Sequence, residues 1–332
     1  MELIKVRPGA AKEAEILQLP AVLFPENYPL HFDAVSINPE FLLHSYLLRQ
    51  DGRAIGSIAL YHNPGHQLEG QPATCVGYFH CVNDTQAAKK LIDAVVADTR
   101  ALGIQQIIGP LNGSTWENYR FRTTDEPPAF FLESAHPVYY KDLFRACGFQ
   151  PIKSYYSFLV EPLQPMSDRA SKRRTQFEAA GIRFRPIDPN HYERDVRRMY
   201  DLCLIAFKDN FLYTPYPWEA FAKKYSLLES IARPEMTLLA EEGDQVVGFV
   251  FMIDDVLCTE EKRFVFKTYA VHPGIKYAGL GAVISQQVTE ALLQEGYTSS
   301  IHAFVIEGSP SYNASSSNSK VYREYQLYAL NV

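Results

Sequence analysis

Three scarcities in this chain of 332 residues each remove a class of function. Cysteine is sparse and unpatterned. Cys75, Cys81, Cys147, Cys203 and Cys258 include no CxxC spacing, which argues against a zinc ribbon, and their odd number gives no disulfide framework. That usage fits a reducing compartment, so a cytoplasmic location is expected. Apolar runs are short: none approaches the roughly 18 residues that span a bilayer, and Met1 to Lys5 opens no signal-peptide core. No membrane partner is expected. Positive charge is in deficit, with a net charge of -6 and a pI near 5.9. Nucleic-acid proteins carry a basic face, so no nucleic-acid partner is expected. The one basic cluster, Lys172, Arg173 and Arg174, reads as a solvated helix face.

What is present is ordinary globular material, 47% hydrophobic and 21% charged, enough for two cores without a metal or disulfide staple. The prolines of Glu161-Pro162-Leu163-Gln164-Pro165 mark a boundary. Residues 1–162 form a first domain, 163–181 a linking helix stopped at Gly181, and 182–332 a second domain.

Periodicity gives the second half a clear order. Strand Ile182 to Ile187 leads to a helix from His191 to Phe207, an aromatic loop, and a helix starting near Trp218. Thr237 to Glu241 and Val246 to Ile253 flank a hairpin turn at Glu242-Gly243-Asp244-Gln245. Strand Phe264 to Val271, helix Ala282 to Glu295 and strands Ser300 to Ile306 and Val321 to Leu330 complete it. The first half repeats the plan with strands Ala54 to Tyr61, Cys75 to Val82 and Ile104 to Ile108 around a helix Thr85 to Leu102. A helix from Val138 to Cys147 and a strand from Tyr155 to Val160 follow. Strand, turn, helix, glycine, strand thus occurs twice, at Val76 to Ile108 and Lys267 to Ile306, which indicates internal duplication.

The informative segment runs from Thr268 through Tyr269, Ala270, Val271, His272, Pro273 and Lys276 to Ala278, Gly279, Leu280, Gly281 and Ala282. A strand enters a turn, a Gly-x-Gly loop and a helix start. The first helical turn has amides without partners, at the positive end of the dipole, which suits a pyrophosphate. Gly279 and Gly281 allow close backbone approach, and Lys276 adds a charge. A dinucleotide fingerprint needs glycine where Ile284 stands, and a Walker loop needs a Gly-Lys-Ser or Gly-Lys-Thr that this segment lacks.

Val271-His272-Pro273 followed by Lys276-Tyr277-Ala278-Gly279-Leu280-Gly281 resembles the acetyl-CoA loop of the GNAT superfamily of N-acyltransferases, with Lys276 where Arg or Gln is usual. The resemblance covers Ile182 to the end and, more weakly, Leu3 to Val160. It implies an α/β fold, an α+β mixed sheet in two tandem GNAT-like domains, of which only the second keeps the cofactor loop. It also implies acetyl-CoA or another acyl-CoA as cofactor, direct transfer of the acyl group to a small-molecule amine, and a strand bearing Tyr269, Ala270 and Val271 that splays from Ser300 to Ile306. Asn313, with Ser316, is the expected cofactor contact, Asn318 the second choice. Between Asn313 and the terminal strand there are too few residues for the full family helix, and the serine run Ser315-Ser316-Ser317 is a poor helix former.

Acyl transfer needs a deprotonated amine, proximity and a donor for the thiolate. Tyr312 and Tyr322 are candidate donors and Glu307 a candidate base. Asn210, Tyr213 and Tyr216 in the aromatic loop, with Trp116 opposite, are candidate substrate contacts. No metal site is expected, His272 being a turn residue. Gly308-Ser309-Pro310-Ser311 is not a nucleophile elbow. Two other readings stay open: a non-catalytic GNAT-like module that binds acyl-CoA or a partner, and aminoacyl transfer from charged tRNA, which the acidic charge disfavours.

Overall fold

A computed structural model describes residues 1–25, 37–134, 136–229, 233–317 and 319–332. Asn318 lies outside the described residues. The first half holds β1 (Glu2–Val6), α1 (Glu13–Leu23), β2 (Leu42–Gln50), β3 (Arg53–Tyr61) and a small hairpin, β4 (Gln67–Leu68) with β5 (Gln71–Pro72). It continues with β6 (Thr74–Cys81), α2 (Thr85–Ala101), β7 (Gln106–Gly109), β8 (Phe121–Arg122), α3 (Tyr140–Ala146) and β9 (Gln150–Val160). Helix α4 (Asp168–Ala179) leads to β10 (Ile182–Pro186), α5 (Tyr192–Ala206), α6 (Trp218–Glu229), β11 (Thr237–Glu242), β12 (Gln245–Asp254) and β13 (Arg263–Val271). The chain ends with α7 (Leu280–Gln294), β14 (Ser299–Ile306), α8 (Pro310–Ser316) and β15 (Lys320–Asn331).

The helices form where apolar side chains recur every three or four residues. In α5, Val196, Met199, Tyr200 and Cys203 are buried; in α7, Leu280, Val283, Ile284, Val288 and Leu292. Gly181 and Gly296 follow helix ends with φ of +90° and +86°, where L side chains are strained. Among the described residues no full helix follows Asn313; a short α8 instead begins at Pro310 and holds Asn313 within it. Serine's weak propensity is offset at the start, where Ser309 accepts from the Tyr312 amide at 3.1 Å and Pro310 pre-sets the first turn.

The main strands join one mixed sheet, ordered β1-β2-β3-β6-β7-β15-β9-β14-β13-β12-β11-β10, with β8 alongside β15. Only β6 with β7 and β13 with β14 pair in parallel among the described residues. The middle of the sheet is exchanged between the halves. Strand β15, last in the chain, lies between β7 and β9 of the first half, and β9 lies between β15 and β14 of the second. Helices α4 and α7 cover one face of the second half through Phe177, Leu280 and Ile284; α5 and α6 cover the other through Met199, Phe221 and Tyr225.

The loop between α5 and α6 docks on the first half. Leu212 packs with Tyr61 and Ala73, Asn63 donates to Thr214 Oγ1 at 2.8 Å, and Tyr216 donates to Glu117 at 2.8 Å.

Candidate functional site

Strands β13 and β14 pair from Arg263 with Ser299 to Phe266 with His302 and then part. Beyond that point β13 keeps only β12, from Thr268 with Phe251 to Val271 with Gly248, and β14 keeps only β9, at Val305 and Ile306. A wedge-shaped gap therefore opens toward the N-terminus of α7. At its mouth Gly279 precedes α7 with φ +86° and no side chain caps the helix, so the first-turn amides of Leu280, Gly281 and Ala282 lack the partners that later turns have. A Cβ on Gly281 would lie 1.5 Å from Tyr269 Oη, so only glycine fits beside that ring. These features suit an anionic diphosphate on the amides with an extended chain along the gap.

The basic side chain nearest this mouth differs from the expectation. Lys276 is tied to Glu242 at 2.8 and 2.9 Å. Arg173 of α4 instead reaches the loop, donating from Nη2 to the Ala278 carbonyl at 3.0 Å. The cluster read as a solvated helix face thus sends one guanidinium to the glycine loop.

The equivalent place in the first half is closed. Asp84 caps α2, accepting from the Gln86 and Ala87 amides at 2.7 and 3.3 Å. Asn112 fills the space beside β6, accepting from the Tyr78 amide at 3.1 Å, and a Cβ on Gly77 would sit 2.0 Å from its Oδ1.

Comparison with solved structures gives the architecture its context. The chain superposes over 99% of its length on 98% of a tandem GNAT protein from the clavulanic acid biosynthesis pathway, at TM-score 0.54 and 12% identity. The chain has the tandem GNAT fold. A GCN5-related N-acetyltransferase from Sphaerobacter thermophilus matches at TM-score 0.51 and 16% identity, covering 99% of this chain and 95% of that one. A GCN5-related glucosamine N-acetyltransferase region of a fungal multi-domain β-N-acetylglucosaminidase matches at 0.58 and 15%, covering 99% of this chain and 38% of that one. In sequence, a bacterial ceramide synthase from Caulobacter vibrioides (strain NA1000 / CB15N) is 22% identical over 218 residues, 64% of this chain. The chain spans 56% of that relative's length. No family model matches.

Within the GNAT fold the other expected residues fall at separate places. Tyr312, Asn313 and Ser316 lie on α8 beside the gap, Tyr312 half-buried against Tyr156 and Phe158 with ring centroids 5.4 and 5.5 Å away. Ala270 is buried among α5 and α6 residues, while Tyr269 and Val271 lie toward α7. Glu307 is exposed past the end of β14, its amide donating to Ser154 at 3.1 Å. Tyr322 is at the closed end of the splay, donating to the Pro128 carbonyl at 2.7 Å with Arg263 over its ring. Of the expected substrate contacts, Trp116 and Tyr213 meet around Phe207, with centroids 5.8 and 6.3 Å from it, and Tyr213 is pushed up to about 12 by burial. Tyr216 is a buried tie between the halves, and Asn210 is exposed in the turn before Tyr213.

His62 and His66 stand four apart, a spacing that can serve metal ligation. Pro64 and Gly65 between them keep the segment out of a helix, His66 Nδ1 lies 3.0 Å from Cys75 Sγ, and no metal-holding group occurs among the described residues.

Sequence reasoning missed Lys267. At this position β13 carries one residue more than β12, because Phe266 pairs with Met252 and Thr268 with Phe251. A bulge of this kind re-aims a side chain. The Lys267 ammonium lies 4.9 Å from the Tyr225 ring and 6.0 Å from Phe251, in the cleft faced by α5 and α6. Burial and then the nearby Lys224 push it down to about 7. The signal was a lysine inside the apolar run Phe264 to Val271.

Proposed function

We propose that this chain is an acyltransferase that moves an acyl group from acetyl-CoA or another acyl-CoA to an amine. The parting of β13 and β14 beside the uncapped start of α7 carries this reading. The amides of Leu280, Gly281 and Ala282, with Arg173 nearby, would hold the diphosphate. The backbone of Tyr269 to Val271 would hold the pantetheine arm, and Asn313 and Ser316 on α8 would flank it. Tyr312 would donate a proton to the departing thiolate. Trp116 and Tyr213 would face the acceptor on the opposite side of the sheet. The first half, its corresponding helix capped by Asp84 and its gap filled by Asn112, would hold no CoA and would wall the acceptor cleft. A small-molecule amine is the acceptor class, and a cytoplasmic setting fits. The ceramide synthase relative supports N-acylation, since a ceramide is an amide.

Titration calorimetry with acetyl-CoA tests the reading. Wild-type protein binds, and Gly281→Val, whose side chain meets the Tyr269 ring, loses the signal while keeping its fold by circular dichroism. No wild-type binding at millimolar acetyl-CoA sinks the proposal. Binding without thiol release across an amine panel would favour a binding module.

A further inference from the structure

An ammonium group is costly to desolvate unless a counter-charge or hydrogen bonds replace its water. Among the described residues Lys267 makes no ion pair and no hydrogen bond. Its close neighbours are aromatic: Tyr225 from α6 and Phe251 from β12. The charged and titratable groups facing it are Lys224 of α6, Glu117 of the first half and Cys203 of α5. Glu117 is committed elsewhere, at 3.1 Å to Lys224 Nζ and 2.8 Å to Tyr216 Oη. Cys203 is fully buried and its thiol is pushed up by burial, so it supplies no anion. The nearest committed cation, Lys224, repels.

The position is as telling as the surroundings. Lys267 follows Phe266, the last residue of β13 paired to β14. It therefore stands where the gap opens, and the bulge turns it away from the α7 face toward the aromatic cleft that holds Trp116, Phe207 and Phe221. Lys267 is half-buried, with its ammonium on the side of that cleft. Thr268 beside it is held at 3.0 Å by the Tyr225 hydroxyl, which fixes the strand there.

We propose that Lys267 is the proton acceptor for acyl transfer, its neutral Nζ taking the proton that the acceptor amine gives up as it attacks the thioester. This rests on the acyltransferase reading above. In the step, the amine nitrogen forms a bond to the acyl carbon and the carbon–sulfur bond breaks, its electron pair leaving with sulfur. The proton lost from nitrogen converts Nζ to the ammonium. The thiolate takes a proton from water or from Tyr312, which water then reprotonates, and the ammonium returns its own proton to water. A lysine poised near 7 is in range for this work at neutral pH. Because the neutral form acts, the rate rises as pH increases through that value.

Two measurements test it. The first needs no acceptor: trace acetylation of the intact protein with acetic anhydride across a pH series, read by mass spectrometry of the peptide bearing Lys267. Reactivity with a midpoint near 7, against the ordinary 10.5, is expected. A midpoint near that ordinary value, or no labelling at any pH, overturns the proposal. The second compares wild type with Lys267→Met and Lys267→Arg, using acetyl-CoA and dodecylamine as probes. Both variants should keep acetyl-CoA binding by calorimetry and lose roughly 100-fold or more in amine-dependent thiol release, with the limb near 7 removed. Arginine keeps the charge but never deprotonates, so full activity in Lys267→Arg would mean an electrostatic role and overturn the assignment. Unchanged rates and pH profile in Lys267→Met would do the same. A wild type that fails to bind acetyl-CoA, or binds it and releases no thiol with dodecylamine or any other amine of a broad panel, would instead sink the acyltransferase reading.

Discussion

Arg323 shows how one residue can fasten two remote parts of this chain. It is fully buried on β15 with Glu133, Nε to Oε1 2.8 Å apart, and Tyr325 donates to the same carboxylate at 2.6 Å. Its remaining donors serve the carbonyls of Thr124, at 2.7 Å, and Pro127. Removing one partner strands a charge in the interior, so Glu133→Ala should cost about 3–5 kcal/mol in urea unfolding. A loss below about 1 kcal/mol would show that the pair is dispensable. At this scale Gly279 and Gly281 were readable in sequence because a strand, a turn and a helix start surround them. Lys267 was not, because the meaning of a lysine in a strand depends on whether a bulge turns it inward or outward. Arg173 was hidden for a similar reason: helical spacing tells that it is on a face, not what that face meets.

Between elements, the clearest device joins β10, β11 and α5. Arg185 reaches Asp195 at 2.6 and 2.9 Å and Glu241 at 2.7 and 3.1 Å, and Arg183 and Arg198 add contacts to Glu241. Burial raises both carboxyls, but the guanidinium bonds outweigh it, and Asp195 and Glu241 end below the ordinary carboxylate range. The unfolded chain then binds protons more readily than the folded one. Their contribution is present above the ordinary carboxylate range, about 4, and is lost as pH falls through it and below. Melting temperatures taken on acidification should show wild type converging on Asp195→Asn, and a constant difference would refute the assignment. Most elements were legible because periodicity and terminal glycines mark them: α2, α5 and α7 lie within two residues of expectation. Helix α8 was not, since propensity alone speaks against three serines while the Ser309 cap and Pro310 decide the outcome locally. The first strands and helix, β1, α1 and β2, went unread for lack of a strong period.

Over the whole molecule, the duplication was visible in sequence but the exchange of β9 and β15 was not. Strand pairing across more than two hundred residues, as between Tyr328 and Gly109, leaves no local trace. Deleting residues 320–332 would strip β7 and β9 of a shared neighbour and should abolish cooperative melting of the entire protein. A truncated chain that still melts in one sharp transition would contradict this.

The reciprocal loan of a strand means that neither copy of the duplicated unit is self-sufficient. If the polypeptide were cut in the stretch after Val160, the two fragments expressed apart would each expose an unfilled slot, whereas expressed together they would reassemble by strand complementation. Any drift in one half is therefore still constrained by its duty to complete the other, which gives a physical reason for both halves to persist.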